Sequence, residues 1–280
     1  MHEIAIIGAG ELGGATAHAL ARCDAARVIT LVDERGRAAA GKALDIAQAA
    51  PIEGFATQLA GSTDIARAAG AQVVVIADQF GVGEWTGDEA FALLRRLSQM
   101  ARHAIIVCAG AASRELVDRG VRDLKWPRGR LLGSAPEALA GGAKAMVALA
   151  LNGSACDVAL TVLGIPPSRM VIPWEDATGG GLALTRQLDE PTRRRLDARI
   201  AALWPPGPYA LAAATTKVIT AIDGRSRQLS SCFVGPGADQ AATTRTAAMP
   251  VRLGPGGIAE VVVPSLSVVE QVALDNAVLL

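Results

Sequence analysis

Residues 4–14 read IAIIGAGELGG, and this stretch decides the fold of the chain. An apolar strand pattern runs directly into the spacing Gly8-x-Gly10-x-x-Gly13, and a helix-forming stretch over residues 15–22 follows. In such a strand-turn-helix unit the first glycine makes the tight turn, the second leaves room for a ligand, and the third lets the helix pack on the strand. The amides at the helix N-terminus then point at a pyrophosphate. The stretch therefore predicts a dinucleotide-binding turn.

A second apolar run, residues 28–32, ends in Asp33, twenty residues after Gly13. A carboxylate at this place accepts hydrogen bonds from a ribose diol and repels a 2'-phosphate, so the pattern favours NAD over NADP. Arg35 and Arg37 lie just beyond Asp33 and would partly offset that repulsion. The alternative interpretation is a glycine-rich turn that serves packing alone and binds nothing.

Glu11 lies in the first turn of the predicted helix. Its carboxylate suits the positive end of the helix dipole but would repel a pyrophosphate bound there, so it weakens the prediction without reversing it. The predicted cofactor site consists of Gly8, Gly10, Glu11, Leu12, Gly13 and Asp33.

Composition limits the classes of partner. The 280 residues carry 27 Lys plus Arg and 27 Asp plus Glu, so no global field attracts nucleic acid or an anionic membrane. The first strand pattern begins within three residues of Met1, and the apolar runs are shorter than a membrane span. We therefore expect no secretion signal and no membrane helix, and predict a cytoplasmic protein.

The cysteines and histidines indicate no metal site. They are scattered, without CxxC spacing and without a His/Cys/carboxylate cluster. The interpretation we favour is that most of the thiols are buried. The cysteines are Cys23, Cys108, Cys156 and Cys232.

Strand patterns in the first half alternate with helical stretches at the spacing of βαβ units, which predicts a parallel sheet covered by helices on both faces. The predicted strands are residues 4–8, 28–33, 73–77, 105–108 and 130–133. The predicted helices are residues 12–22, 37–49, 88–100 and 115–122, with a short turn at 64–69.

After Pro136 the pattern changes to helices interspersed with short strands. The predicted helices are residues 137–151, 190–204 and 209–222, and the predicted strands are residues 157–163, 228–234, 247–253 and 258–263. A last helix begins with the capping-box spacing of Ser267 and Glu270 and extends to the end of the chain. The fold class is therefore α/β, with an N-terminal doubly wound parallel sheet over residues 1–135 and a C-terminal α+β domain over residues 136–280.

From end to end the chain resembles the lactate/malate dehydrogenase family. The resemblance implies an NAD-binding Rossmann domain, a substrate domain, a homodimer or homotetramer, and hydride transfer between NAD and a 2-hydroxy acid. The similar segments are IGAGELGG (7–14), LVDERGRAAAGKALDIAQAAP (31–51), GSTDIARAAGAQVVVIA (61–77), CDVALTVLG (156–164), YALAAATTKVITAI (209–222), MPVRLGPGGIAEVV (249–262) and PSLSVVEQVAL (264–274).

The resemblance also implies a catalytic set that this chain lacks. Such a reaction needs a His as general base, an Asp that orients it, and Arg side chains that grip the substrate carboxylate. By the resemblance, Pro166 stands for the His, Ala140 for the Asp, Ala143 for the Arg, Gly81 and Gly87 for two further Arg of a mobile loop, and Ala109 for an Asn.

Other charged residues would have to replace that set. Arg169 and Lys144 are possible anion contacts, although we interpret both as solvated surface charges, since one helical residue of offset turns a side chain away by about 100°. Glu137 and Glu175 are possible bases, but a carboxylate without a perturbing partner is usually ionised and exposed. Trp85 either closes over an apolar ligand or packs on a neighbouring helix, and we favour packing.

Three hypotheses of function follow. The first is a protein that binds NAD(H) but has lost or strongly altered 2-hydroxy acid dehydrogenase chemistry. The second is an NAD-dependent dehydrogenase for a different small molecule, one without a carboxylate. The third is a structural or regulatory subunit that binds no cofactor.

Overall fold

The structure is a computed structural model that describes residues 1–237 and 244–278. In its first half, short apolar strands alternate with helices, as the βαβ spacing predicts. The strands are β1 (Glu3–Ile7), β2 (Val28–Val32), β3 (Gln58–Ser62), β4 (Val73–Ile76), β5 (Asp78–Gln79), β6 (Gly83–Glu84), β7 (Ile105–Cys108) and β8 (Leu131–Gly133). The helices are α1 (Glu11–Arg22), α2 (Gly36–Glu53), α3 (Gly87–Met100) and α4 (Arg114–Arg122), with 3-10 turns at Ile65–Ala68, Ala111–Ser113 and Arg128–Arg130.

The main sheet of this half is parallel, in the order β3-β2-β1-β4-β7-β8. This is the strand order of a doubly wound dinucleotide-binding sheet, so the predicted fold class is confirmed. The order reverses between β1 and β4, and ligands of such sheets bind beyond the carboxyl ends of the strands at that point. The turn that begins with Gly8 therefore lies at the expected switch point.

The elements of the second half are α5 (Ala135–Leu151), a 3-10 turn at Ala155–Asp157, β9 (Val158–Ala159), β10 (Leu163–Ile165), β11 (Arg169–Val171), β12 (Thr178–Gly179), β13 (Leu182–Ala183), α6 (Leu184–Gln187), α7 (Glu190–Ala201), α8 (Pro208–Ile222), β14 (Ser230–Val234), β15 (Ala247–Gly254), β16 (Gly257–Val261) and α9 (Val268–Val278). They extend the same sheet in the antiparallel sense: β14 pairs with β8, β15 with β14, both β10 and β16 with β15, and β11 with β10. Two small sheets stand apart, β9-β12-β13 and the hairpin β5-β6. The division at residue 135 stays a prediction.

Two predictions of strands are corrected. Strand β3 was not predicted, because its sequence QLAGS is only half buried and lacks an apolar pattern; Gly61 allows it to pass α2, where an added Cβ would lie 2.3 Å from the Ala40 amide nitrogen. The predicted continuous strand 157–163 is wrong, because residues 155–157 form a 3-10 turn and the chain then changes sheets between β9 and β10.

Local predictions elsewhere hold well. The capping box of α9 is confirmed: the Ser267 amide donates to Glu270 Oε2 at 2.7 Å, and the Glu270 amide donates to Ser267 Oγ at 3.3 Å. Residues 279 and 280, to which this helix was predicted to extend, lie outside the described residues. Across the described ranges, no helix combines the length and hydropathy that crossing a membrane requires.

Thiol burial was predicted only in part. Cys108 and Cys232 are buried, and burial raises the pKa of Cys108 to about 12. For Cys23 and Cys156 the prediction is wrong, since both are exposed. Cys23 lies directly after the last residue of α1, and Cys156 lies in the 3-10 turn that follows α5. At such positions an apolar neighbour in the sequence does not bury the side chain.

Candidate dinucleotide and substrate site

The turn between β1 and α1 meets the geometric requirements that its glycines suggested. Gly8 has φ +106°, a conformation that favours glycine. A Cβ on Gly13 would lie 2.1 Å from the Gly8 carbonyl oxygen, so the absence of a side chain lets α1 pack on β1. A Cβ on Gly10 would lie 2.2 Å from Asp78 Oδ2. Each glycine therefore allows a close backbone approach, as predicted, but the group that approaches Gly10 belongs to the protein itself.

Asp33 is buried at the carboxyl end of β2, beside the glycine turn. Its Oδ2 accepts from the Ala9 amide at 2.8 Å and from the Phe80 amide at 3.0 Å, and its Oδ1 accepts from the Arg35 amide at 2.9 Å. Both oxygens of the predicted ribose acceptor are thus engaged by backbone donors. One of those donors, Phe80, comes from the loop after β4.

Asp78 occupies the N-terminus of α1, and the sequence reasoning missed it. Its Oδ1 accepts from the Gly13 amide at 2.8 Å and its Oδ2 from the Leu12 amide at 3.2 Å, while its carbonyl oxygen accepts from the Gly10 amide at 2.9 Å. First-turn amides lack partners within their own helix, and the helix dipole favours a negative charge there. An acid directly after β4, next to β1 in a parallel sheet, was the signal that could have revealed this contact.

Glu84 makes the corresponding contact at the other end of the same segment. Its carboxylate accepts from the Ala111 amide at 3.0 Å and from the Ala112 amide at 2.8 Å, in the 3-10 turn after β7. We refer to residues 78–84, with β5 and β6 as its two arms, as the acidic hairpin. It joins the β1–α1 turn to the β7–α4 connection, so it lies across the carboxyl edge of the parallel strands.

Other charges surround the turn. Lys42 of α2, also missed from sequence, donates to the Gly10 carbonyl oxygen at 2.5 Å. Glu11 is exposed. The Arg35 guanidinium approaches the hairpin tip, where a Cβ on Gly81 would lie 2.7 Å from its Nη1. Arg35 thus packs on the hairpin in the described structure.

The turn therefore fits a dinucleotide in its backbone, but not with the hairpin in place. The strand order, the glycines and Asp33 match what the cofactor requires. However, the Leu12 and Gly13 amides that would face a pyrophosphate already donate to Asp78, and the Phe80 amide occupies part of Asp33. In this structure the hairpin occupies the positions at which a pyrophosphate and a ribose are expected.

Pro166, the position implied for the general base, lines a cavity of about 220 Å³. The cavity wall includes Trp204 and Phe233, whose rings pack edge to face with centroids 6.1 Å apart. Arg114 and Glu115, at the start of α4, bring charge to the same cavity, and sequence reasoning missed both. Proline has no group that accepts a proton, and the Glu115 carboxylate is mostly exposed, 4.0 Å from Arg119 Nη1.

The other implied catalytic positions are equally inert. Ala140 and Ala143 are fully buried in the apolar cluster under α5, and Ala109 is fully buried at the end of β7. Gly81 and Gly87 have φ +70° and +57° and shape the hairpin tip and the start of α3. These positions now serve packing and backbone geometry.

The charged residues proposed as replacements lie elsewhere. The interpretation of Glu137 as an exposed carboxylate is wrong, since it is buried, pairs with Lys217 and accepts from the Ser231 amide at 2.7 Å. Lys144 is partly buried rather than a solvated surface charge, and it lines a separate cavity of about 630 Å³ together with Glu137. Burial lowers the pKa of Lys144, and the nearby Lys217 charge lowers it further. Arg169 is exposed and donates to the Asn276 carbonyl oxygen at 3.3 Å.

Two residues left open by the sequence are also placed. Glu175 is exposed. Trp85 is partly buried against the apolar cluster that contains Ala90 and Leu94 of α3, which supports the packing interpretation.

Comparisons of the sequence point to one family. Residues 2–114 match the family described as lactate/malate dehydrogenase, NAD binding domain. A malate dehydrogenase from Thioalkalivibrio sulfidiphilus is 34% identical over 207 residues, covering 70% of this chain and 67% of that protein. A malate dehydrogenase from Desulforudis audaxviator is 28% identical and covers 99% of this chain and 95% of that protein.

Comparisons of the structure agree at the level of the fold. A malate dehydrogenase from Salinibacter ruber superimposes with a TM-score of 0.87 at 22% identity, covering 98% of this chain and 93% of the other. One from Aeropyrum pernix gives a TM-score of 0.88 at 21% identity, covering 99% and 95%. The β1–α1 turn, the acidic hairpin and the Pro166 cavity thus lie in a chain with this overall architecture.

Proposed function

This chain belongs to the lactate/malate dehydrogenase family, and from that premise we propose that it binds NAD(H) but has lost 2-hydroxy acid dehydrogenase chemistry. NAD is the cofactor of the N-terminal domain, whose sequence matches the family's NAD-binding domain. The observation that supports the proposed loss is that Pro166, which the resemblance assigns to the position of the general base, lines a cavity without a histidine. We also propose a homodimer or homotetramer in the cytoplasm, without a nucleic-acid or membrane partner.

The residues of this chain divide the remaining tasks. The β1–α1 turn offers backbone amides to a pyrophosphate, and Asp33 offers a carboxylate to a ribose. NAD, when bound, supplies the hydride acceptor of the family's reaction. The cavity beside Pro166 is lined by Trp204 and Phe233 together with the charged Arg114 and Glu115, and none of its lining residues is a histidine that could take a proton.

Magnitudes favour negligible turnover. Loss of a general base costs about 10² to 10⁴ in rate, and loss of substrate alignment costs further energy. From a typical turnover of about 10 per second, loss of the base alone leaves roughly 0.001–0.1 per second on 2-oxo acids.

Steady-state assays with NADH and oxaloacetate, pyruvate or 2-oxoisocaproate test this proposal. We expect no NADH oxidation above the no-enzyme rate, while an active malate dehydrogenase assayed in parallel turns over oxaloacetate. The relatives named above are malate dehydrogenases, so turnover near one per second would return this chain to that activity and refute the proposed loss.

A second candidate is a dehydrogenase for a neutral alcohol, aldehyde or ketone. The aromatic wall formed by Trp204 and Phe233 favours it, since apolar walls suit an uncharged substrate. Thermal melting with NAD and a panel of neutral carbonyl compounds separates the candidates. An inert NAD(H) binder responds to the dinucleotide alone.

A third candidate is a structural or regulatory subunit without a cofactor. The acidic hairpin favours it, because Asp78 satisfies the donors that a pyrophosphate would use. Titration with NADH, followed by energy transfer from tryptophan, gives a direct answer. Absence of binding up to millimolar NADH would support this candidate over the first.

A further inference from the structure

We propose that the acidic hairpin, residues 78–84, is an intramolecular competitor of the cofactor: NAD(H) binds only when Asp78 and Glu84 release the backbone amides that they hold. This inference rests on the proposed binding of NAD(H) and adds a mode of regulation to that site. The hairpin is part of the chain, so the competing anion is present at a constant effective concentration.

Asp78 holds the backbone donors that a pyrophosphate would use. Asp78 accepts from the Gly13 amide at 2.8 Å and from the Leu12 amide at 3.2 Å. These are the first-turn amides of α1, which are the donors that a pyrophosphate uses in a Rossmann domain. A carboxylate resembles a phosphate in charge and in its acceptor oxygens, so the two compete for the same donors.

Asp78 occupies the space beside Gly8 and Gly10. A Cβ on Gly10 would lie 2.2 Å from Asp78 Oδ2, and one on Gly8 would lie 2.2 Å from the Asp78 carbonyl oxygen. The room that glycine provides for a dinucleotide is therefore filled by the hairpin backbone and its carboxylate. Both groups cannot occupy it together.

Hydrogen bonds also hold the hairpin at its middle and at its far end. Its middle contacts the ribose acceptor, since the Phe80 amide donates to Asp33 Oδ2 at 3.0 Å. Its far end is held by Glu84, which accepts from the Ala111 and Ala112 amides at 3.0 and 2.8 Å. The hairpin thus covers the positions expected for both the pyrophosphate and the ribose.

Glycines with positive φ give this segment points at which its backbone can bend. Gly81, Gly83 and Gly87 have φ +70°, +119° and +57°, and a Cβ on Gly83 or Gly87 would meet nothing within 4 Å. Gly83 and Gly87 flank the Glu84 contact without being packed, whereas Gly81 lies against Arg35. Release of the two carboxylates would therefore let the hairpin pivot without breaking apolar packing at these points.

Competition has a quantitative consequence. When only a fraction of the molecules has the hairpin open, the apparent Kd equals the intrinsic Kd divided by that fraction. Two charge-assisted contacts, each to a pair of amides, keep the open fraction small. Removing one contact raises that fraction, so variants bind NADH more tightly than the original chain does.

The test is equilibrium titration with NADH, followed by tryptophan energy transfer, of the full chain and of Asp78→Ala, Asp78→Asn and Glu84→Gln. We expect Kd to fall by about 10-fold or more in Asp78→Ala, because the whole charged contact is lost. We expect a fall of about 3-fold in Glu84→Gln, because glutamine keeps one acceptor oxygen and only part of the contact is lost. Asp88→Ala is the matched control, because Asp88 is an exposed carboxylate that contacts Arg119 at 3.0 Å. Its Kd stays at the original value.

Hydrogen exchange gives a second readout. In the absence of NADH, the peptide containing Leu12 and Gly13 should exchange faster in Asp78→Ala than in the original chain, because these amides lose their acceptors. Binding of NADH to the original chain should protect that peptide and accelerate exchange in residues 78–84. Thermal melting and circular dichroism establish that each variant is folded, and Asp78→Asn keeps an acceptor should Asp78→Ala fail to fold.

The outcomes are distinct. Equal or weaker NADH binding by folded Asp78 and Glu84 variants would overturn the competitor role and leave the proposed function intact. Absence of binding by the original chain and every variant up to millimolar NADH would overturn both the competitor role and the proposed binding of NAD(H). Turnover of a 2-oxo acid with the expected order of Kd values would refute the proposed loss of chemistry and support the hairpin as competitor.

Discussion

The β1–α1 turn and the cavity beside Pro166 differ in how their chemistry is encoded. The turn acts through backbone amides, and its glycines also let α1 pack on β1, so changing them damages the fold. By the resemblance, the second region acts in the family through side chains of His, Asp and Arg, and a change of such side chains leaves the backbone in place. Features built from backbone amides are therefore tied to the fold, whereas features built from side chains are not.

The same contrast appears in the carboxylates. Asp33 and Asp78 near the turn each accept several backbone hydrogen bonds. Asp197, in the second half, accepts from the Trp174 indole at 3.1 Å and lies near the Glu270 charge. Backbone donors thus satisfy both acids beside the turn, whereas Asp197 is only partly compensated.

The largest effect should come from returning the family's acid to α5. Ala140→Asp places a carboxylate at a fully buried apolar site without a His partner. We expect the free energy of unfolding to fall by about 3 kcal/mol or more at pH 7, because a buried unpaired charge is costly. Urea unfolding measures this.

Ala145→Asp is the control, because Ala145 is an exposed position of the same helix. Its loss should stay within about 1 kcal/mol, the range of helix propensity. Equal losses in the two variants would mean that the surroundings of Ala140 accept a charge, and the contrast between the two regions would weaken.

The next effect probes the turn. Gly8→Ala places a Cβ at φ +106°, 2.2 Å from the Asp78 carbonyl oxygen. We expect a loss of about 3 kcal/mol of unfolding free energy from backbone strain and steric overlap. Chemical unfolding followed by circular dichroism tests it.

Gly41→Ala is the matched control in the interior of α2, where a Cβ meets nothing within 4 Å. It should gain roughly 0.5–1 kcal/mol, because alanine favours a helix. If Gly8→Ala were as stable as the original chain, the turn would not need glycine, and its sequence would carry less structural weight.

The smallest effect concerns pH. Burial raises the pKa of Asp197 to about 6, and the charge of Glu270 adds to that shift, while the hydrogen bond from Trp174 opposes it. Because the folded-state pKa lies above the ordinary value of 3.8, the unfolded chain releases this proton first. The contribution of Asp197 to stability is therefore lost as pH rises from about 4 to 6.

Melting temperatures of the original chain and Asp197→Asn between pH 4 and pH 8 measure that loss. The difference between the two should shift in favour of Asp197→Asn as pH rises. Asp189→Asn is the control: the hydrogen bonds from Thr192 lower the pKa of Asp189, so its contribution is lost only at lower pH, and its difference from the original chain should stay nearly constant above about pH 5. A pH-independent difference at Asp197 would contradict the predicted titration.

Features that depend on residues close together in the sequence could be predicted, and features that depend on distant residues could not. The strands β1, β2, β4 and β7 could be predicted, because each is a buried apolar run. The capping box of α9 could be predicted because its partners are three residues apart. Strand β3 could not, since its register depends on pairing with β2 rather than on its own pattern.

The candidate site shows the same limit. The spacing of Gly8, Gly10 and Gly13 is local, so the turn and its kind of ligand could be proposed from sequence. Asp78 contacts Leu12 and Gly13 across 66 and 65 residues, and Glu84 contacts Ala111 across 27. A sequence pattern does not reveal such contacts until the sheet order is known.

Residue identity and short spacing were enough to predict a doubly wound sheet, a dinucleotide-binding turn and the family, while the assignment of Pro166 and Ala140 to catalytic positions stays a prediction. The contacts of Asp78 and Glu84 with the amides along the expected cofactor path emerged from the tertiary structure alone. The physical reason is that parallel strands bring the ends of β1, β4 and β7 to one edge, where unpaired amides from one connection meet carboxylates from another.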